Sequence, residues 1–333
     1  MGLFDSFRRD KKNQTKEEQT TVEEKPVVEP VRESVPEQQP EQQPEQETDN
    51  SSDEGESADV SQTVEQVFPN TGQDDNVDHR ETKVIAIINQ KGGVGKSTTA
   101  VNLSASLGSH EKKILLIDLD PQGNATSGLG IEKSQLSQCI YDVLLDDVKV
   151  HDIIIADVCE GLDLVPATIN LAGAEVELVS EMAREHRLKE AIEEVRGEYD
   201  YIFVDCPPSL GLLTVNALVG ADDLIIPIQT EFYALEGVTK LLESMKRVKN
   251  RLNPTLEIYG ILLTMYDGRT TLSRQVAAEV RNFFGDKVFE TIIPRTVKLS
   301  EAPSYGIPIN QYDPLGKGAI SYDNLAKEVI QRG

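Results

Sequence analysis

The pattern of apolar and polar positions changes character at Lys83. Val84-Ile85-Ala86-Ile87-Ile88 is a continuous apolar run, the signature of a strand buried on both faces. Four more runs follow: Ile114-Leu115-Leu116-Ile117, Tyr201-Ile202-Phe203-Val204, Leu224-Ile225-Ile226-Pro227-Ile228, and Ile258-Tyr259-Gly260-Ile261-Leu262-Leu263. Between them, helical spacing of apolar residues predicts helices over Thr98–Leu107, Ala174–Val195, Leu235–Leu252, Leu272–Phe284 and Tyr322–Ile330. Strands alternating with helices predict βαβ units, hence an α/β fold with a doubly wound, mainly parallel sheet covered on both faces. Ligands of such sheets bind at the carboxyl ends of the strands. The chemistry should therefore sit directly after the apolar runs.

Residues 1–82 read differently. From Lys11 to Thr82 the only aromatic is Phe68, and no apolar run repeats with a helical or strand period. Pro36–Glu45 is an imperfect Pro/Glu/Gln tandem. Such a segment cannot bury enough surface to offset the entropy of ordering, so 1–82 is predicted to be a disordered acidic Pro/Gln/Glu-rich tail ahead of a folded domain at 83–333. Its first twelve residues stand apart. Leu3, Phe4 and Phe7 share a face if helical, and Arg8, Arg9, Lys11 and Lys12 follow. This is either a short amphipathic element suited to weak membrane or protein contact, or a frayed start of the tail. Met1–Ser6 also fits the loose N-myristoylation pattern. The apolar stretch is too short, and wrongly flanked, for a cleavable signal peptide. No run approaches the roughly 20 apolar residues of a membrane span.

Charge divides along the same boundary. The chain of 333 residues carries a formal net charge of -24, which as a whole-chain figure argues against nucleic acid as a partner. The tail holds -14 of it and residues 83–333 hold -10. Within the latter, residues 237–300 have 11 basic and 6 acidic side chains, a net of +5 on an otherwise acidic body.

After the first strand comes Asn89-Gln90-Lys91-Gly92-Gly93-Val94-Gly95-Lys96-Ser97-Thr98. Between a buried strand and a helix this is a phosphate-binding loop, of the P-loop NTPase type. Its glycines let backbone N–H groups curl around phosphate oxygens, and the helix aims its positive end at the same anion. Lys96 would reach the β- and γ-phosphates of ATP, and the Ser97 hydroxyl would meet Mg²⁺. The usual first glycine of the motif is replaced by Gln90, and Lys91 is added. Asp118-Leu119-Asp120 follows the second run, and Asp205-Cys206-Pro207-Pro208 the third. Carboxylates placed there hold Mg²⁺ or orient an attacking water. The alternative for Asp118 and Asp120 is an acidic turn with capping roles. Cys139, Cys159 and Cys206 have no Cys-x-x-Cys spacing, which argues against a disulfide framework or zinc site and fits a reducing cytosol. Cys206 reads as a small residue at a strand end.

Together these residues resemble the ParA/MinD family of ATPases with a deviant Walker A motif, in particular its chromosomal ParA (Soj) type. Lys91-Gly92-Gly93-Val94-Gly95-Lys96-Ser97 is the family's loop, with Lys91 its signature lysine. Stretches at 118–126, 205–210, 233–237, 263–270 and 293–304 extend the likeness, in order, over about 83–333. The resemblance implies a cytoplasmic, nucleoid-associated homodimer with ATP sandwiched between subunits. Lys91 would neutralise phosphate charge in trans, Asp120 would position water, and Ser97 and Asp205 would hold Mg²⁺ with Asp118 nearby. The adenine would lie near Pro294 and Thr296, where many relatives have Asn in place of the latter. The dimer would bind DNA nonspecifically through Arg269, Lys298 and, as a lesser candidate, Arg295. A ParB/Spo0J-type partner would stimulate hydrolysis and reset the cycle.

Three rival readings share the loop. A nitrogenase-type iron protein needs two cysteines per subunit to hold an iron–sulfur cluster, and Cys139 and Cys159 do not lie in matching contexts. A MinD-like membrane-positioning ATPase would use a C-terminal amphipathic helix, and 326–333 lacks an aromatic anchor. A bacterial tyrosine kinase would want Arg after the second acidic motif and a terminal tyrosine cluster. This chain has Pro121-Gln122, and Tyr305, Tyr312 and Tyr322 lie apart.

Overall fold

The computed structural model describes residues 82–333 except 147, 233 and 235. The readings made for the tail, including residues 1–12, lie outside the described residues, apart from Thr82. Thr82 is buried; its hydroxyl donates to Tyr199 O at 2.7 Å and accepts from Gly197 N at 2.7 Å.

The elements in chain order are β1 (Lys83–Ile87), α1 (Lys96–Gly108), β2 (Ile114–Asp118), α2 (Asn124–Gly128), α3 (Ile140–Leu145), α4 (Val150–Ile153), β3 (Ile155–Cys159), β4 (Leu162–Val165), α5 (Leu171–Glu177), α6 (Arg187–Val195) and β5 (Tyr201–Asp205). There follow α7 (Leu212–Gly220), β6 (Asp223–Gln229), α8 (Glu236–Arg251), β7 (Glu257–Thr264), α9 (Thr271–Phe284), α10 (Lys298–Glu301), α11 (Ile309–Tyr312) and α12 (Lys317–Arg332). The sheet runs β3-β4-β2-β5-β1-β6-β7. All neighbouring pairs are parallel except β3 with β4. This is the α/β fold expected of a P-loop NTPase.

The continuous apolar runs follow from burial on both faces. Along β1 and just beyond it, Val84, Ala86 and Ile88 join one core cluster with α3, α5, α6, α7, α8 and α9. Ile85 and Ile87 point the other way, into a second cluster with α1 and α12. Successive side chains alternate across a strand, so with helices on both faces no position needs to be polar. Register then sets the site: Asp118 pairs with Asp205 across β2 and β5, and Ile87 of β1 pairs with Asp205 from the other side. The carboxyl ends of three strands thus converge.

Two expectations need correction. The segment Ala174–Val195 is not one helix. α5 stops at Glu177, a 3₁₀ turn covers Leu178–Ser180, and Ala183 has φ 52° before α6 begins at Arg187. Val179 and Met182, which carried the helical spacing, are 58% and 88% exposed. No buried stripe holds a helix there, and an Arg187–Glu181 pair at 2.9 Å braces the turn instead. The five apolar runs also omitted β3 and β4. β3 is a half-exposed edge strand with Asp157 at φ 52°, so its sequence carries neither a continuous run nor a clean alternation.

Candidate nucleotide-binding site

The loop from Asn89 to Lys96 is held by three hydrogen bonds, two to neighbouring strands and one within itself. Asn89 Nδ2 donates to Pro227 O at 2.7 Å, tying the loop's start to β6. Asn89 Oδ1 accepts from Lys91 N at 2.9 Å. Thr264 Oγ1, at the end of β7, donates to Val94 O at 2.8 Å. Gly95 caps α1 with φ 93° and ψ 26°, a left-handed conformation that strains any residue with a Cβ. The loop therefore presents backbone amides at the positive end of a thirteen-residue helix.

Behind it lie the carboxylates. Asp205 is fully buried, and neither of its oxygens makes a hydrogen bond of good geometry. Burial holds its pKa well above the ordinary carboxylate range, the Asp118 charge adds to this, and the neighbouring Ser97 hydroxyl and Lys96 ammonium act the other way. Asp118 is differently employed. Its Oδ2 accepts from Thr126 N at 2.8 Å and Thr126 Oγ1 at 2.7 Å, and its Oδ1 from Asp120 N at 3.2 Å. Burial raises its pKa to about 6 against the pull of those bonds. Thr126 Oγ1 also accepts from Ala167 N at 3.0 Å. Asp118 thus anchors the loop that carries Asp120 to the end of β4. Asp120 is buried and accepts from Gln122 N at 2.9 Å, and Lys133 Nζ donates to Gln122 O at 2.6 Å from outside.

A cavity of about 450 Å³ opens at this edge. Of the residues singled out from sequence, Gly92, Gly93, Gly95, Lys96, Ser97, Thr98 and Asp120 line it. Val94 is buried beneath the loop, and Asp118 and Asp205 are buried at the ends of β2 and β5. Lys91, Pro294 and Thr296 are not on the wall. Pro294 is bridged to Tyr266, next to the wall residue Met265. Pro208, of the two-proline turn after Asp205, also lines the cavity, and sequence reading gave no role to the lining residues Val101, Asn102, Asn124, Met265, Pro303 and Ile307. Met265 carried one detectable signal only in its backbone: it has φ 51° without being glycine, the kind of strain that clusters at functional sites.

The cationic candidates lie elsewhere. Arg269 is 90% exposed and pairs with Asp267 at 2.7 Å, holding that carboxyl's pKa down to about 2. Arg295 donates its backbone N–H to Tyr266 O and faces Glu231 at 3.5 Å. Lys298, at the start of α10, pairs with Glu301 at 2.8 Å and lies over the Tyr312 ring. The Tyr266–Pro294 bridge brings the Arg269 loop beside Arg295. Burial pushes the Cys206 thiol well up and the Cys159 thiol to about 12, which suppresses thiolate chemistry at both. Among the described residues no helix is long and apolar enough to cross a membrane.

Residues 82–258 match a family model described as an AAA domain. The chain is similar to the sporulation initiation inhibitor protein Soj of Bacillus subtilis (strain 168), with 59% identity over 251 residues, covering 75% of this chain and 99% of that protein. It is similar to the chromosome partitioning protein ParA of Myxococcus xanthus (strain DK1622), with 52% identity over 250 residues, covering 75% and 88%. Among solved structures, cobyrinic acid a,c-diamide synthase from Mycobacterium smegmatis with bound ATP analog and magnesium is 39% identical with a TM-score of 0.66, covering 75% of this chain and 95% of that one. With the loop Lys91–Ser97 placed between β1 and α1 on this sheet, the chain belongs to the ParA/Soj family of deviant-Walker-A ATPases.

Proposed function

We propose that the protein is an ATP-dependent partitioning switch: an ATP-sandwich homodimer that binds DNA nonspecifically and is reset by hydrolysis stimulated by a ParB/Spo0J-type partner. The observation that carries the reading is the division of labour between two lysines of one loop. Lys96 is buried and lines the cavity, whereas Lys91 is partly exposed and off its wall. The Lys91 ammonium is thereby suited to the phosphates of a second copy, as an arginine finger acts in trans. Relatives named for chromosome partitioning support the cellular role.

The donors present fit Mg²⁺. Asp205 offers two buried oxygens without a hydrogen bond of good geometry, beside the Ser97 hydroxyl. Magnesium takes one or two carboxylate or hydroxyl oxygens and completes its shell with phosphates and water. No cluster of three or more His, Cys, Asp or Glu among the described residues is arranged to hold a metal by itself, so the ion would arrive with the nucleotide. When bound it neutralises charge on the β- and γ-phosphates. Ser97 and Asp205 hold it, with Asp118 behind. Lys96 and the loop amides bind phosphate oxygens, and Asp120, fixed by Asp118 and Gln122, orients the attacking water. The Val101, Met265, Pro303 and Ile307 wall suits a purine, with Pro294 and Thr296 next to it through Tyr266. Arg269, Arg295 and Lys298 supply phosphate contacts to DNA, which depend mainly on charge. Residues 83–333 act as the ATPase unit and 1–82 as a tail outside it.

The test is a salt titration of DNA binding with and without ATP, using wild type and Asp120→Ala. The variant with ATP is expected to be a trapped dimer whose DNA affinity falls steeply with salt. A monomer under those conditions, or DNA binding indifferent to ATP, would refute the switch.

A further inference from the structure

Helix α5 carries a carboxylate that reaches out of its own helix. Glu175 Oε2 accepts a hydrogen bond from Leu212 N at 3.1 Å, and Leu212 is the first residue of α7. The N-cap of α7 is Gly211, which has no side chain to offer. Glu175 thus supplies from another helix an acceptor for the first amide of α7, at the positive end of that helix.

Gly211 is explained by the same contact. Its φ of -83° and ψ of -167° are open to any residue, so conformational freedom is not the reason for glycine. A Cβ built there would overlap the Glu175 carboxylate, whose atoms are the three nearest to it. The glycine makes room for the acid. The other oxygen, Oε1, is buried without a hydrogen-bond partner. A side chain at position 211 would cap Leu213 N or Thr214 N, not Leu212 N, so the first amide of α7 is met by an acceptor from another element, at the cost of burying Oε1 unpaired.

What the contact holds is the loop leaving Asp205. Pro208 lines the nucleotide cavity, and Thr214 Oγ1 of α7 donates to Ser209 O at 2.6 Å. This bond ties the start of α7 to the loop after Asp205, and Glu175 ties that helix start to α5. Resting on the ATPase reading above, we infer that Glu175 is a positioning residue for ATP hydrolysis. It sets the Pro208 wall and the loop beyond Asp205 relative to α5, and Gly211 is its obligatory partner.

The experiment is steady-state ATP turnover by the full chain with Mg²⁺, alongside melting temperatures. Glu175→Ala is expected to lower kcat about tenfold or more, because small misplacements near reacting groups are costly, while KM for ATP stays within about twofold since the phosphate loop is untouched. Gly211→Ala evicts the carboxylate and should give the same loss, and the double variant should add nothing further. Glu175→Gln keeps an acceptor and should retain most activity. Glu175→Ala with Gly211→Ser restores a local cap, so Tm should recover while kcat stays low. Recovery of kcat with Tm would reduce Glu175 to a helix cap and overturn the inference. So would normal turnover by Glu175→Ala beside an active wild type. A wild type that neither binds nor hydrolyses ATP would overturn the ATPase reading and this inference with it.

Discussion

Replacing Asp205 by Asn should stabilise the nucleotide-free protein while abolishing its use of Mg²⁺-ATP. The carboxylate is fully buried with no hydrogen bond of good geometry to offset its desolvation, and its register partner is a second buried acid, Asp118. The rise in the Asp118 pKa from 3.8 to about 6 sets the scale, about 3 kcal/mol at neutral pH by linkage. Asp205 is also raised well above 3.8. The sign follows from proton counts. Both acids hold their protons more tightly folded than unfolded, so the folded state binds more protons between the two pKa values. Stability then falls as pH rises through that window, and the full penalty is present above the folded pKa. Asn removes one charge and relieves its neighbour, against the cost of burying an amide. The net expectation is about 1–3 kcal/mol of added stability at pH 7.5, or several degrees in Tm for a domain of this size, shrinking towards zero near pH 4. The assay is thermal unfolding of wild type and variant from pH 4 to 7.5, with and without Mg²⁺-ATP. With nucleotide the order should reverse, because only wild type gains stability by binding. A variant that melts below wild type at pH 7.5 without nucleotide, or a difference that does not shrink with falling pH, would refute the argument.

Other outcomes follow from the same geometry. Arg269→Glu should abolish the ATP-dependent DNA contact and reduce its salt dependence, leaving ATP affinity intact; unchanged DNA affinity would place the basic face elsewhere. Thr126→Val should destabilise the fold by about 2–3 kcal/mol, since it strips a bond from Asp118 and orphans Ala167 N, as measured by denaturant titration. Deleting residues 1–82 should leave ATP-dependent dimerisation intact by light scattering; loss of folding would show that the tail belongs to the domain, and Thr82, buried and doubly bonded, would be the first residue to restore.

Legibility differed by residue. The phosphate loop could be read because its chemistry is contiguous: strand, Lys91–Ser97 and helix follow one another, and the left-handed Gly95 is required by the turn itself. Asp118 could be read as a carboxylate at a strand end, but not as the anchor of the Asp120 loop. Its donor Thr126 lies eight residues away, and Ala167, which closes the network, lies 41 residues beyond that. The basic stretch was legible as charge, yet the pairing of Arg295 with Glu231 spans 64 residues. The break at Leu178–His186 was misread because helical spacing says nothing about whether another surface covers the stripe, and here Met182 faces solvent.

Local chemistry and periodicity were thus enough to specify a parallel α/β sheet, a nucleotide loop after its first strand and acids after two others. Each depends on neighbours in the chain or on which faces of an element avoid water. Folding alone settled the order of the strands, which sets Asp205 between Asp118 on one side and the end of β1 on the other. It also settled that Lys96 turns into the cavity while Lys91 stays off its wall, and that Glu175 fills the space left by Gly211. Such pairings arise from long-range packing and the exclusion of water between distant segments, and no sequence period encodes them.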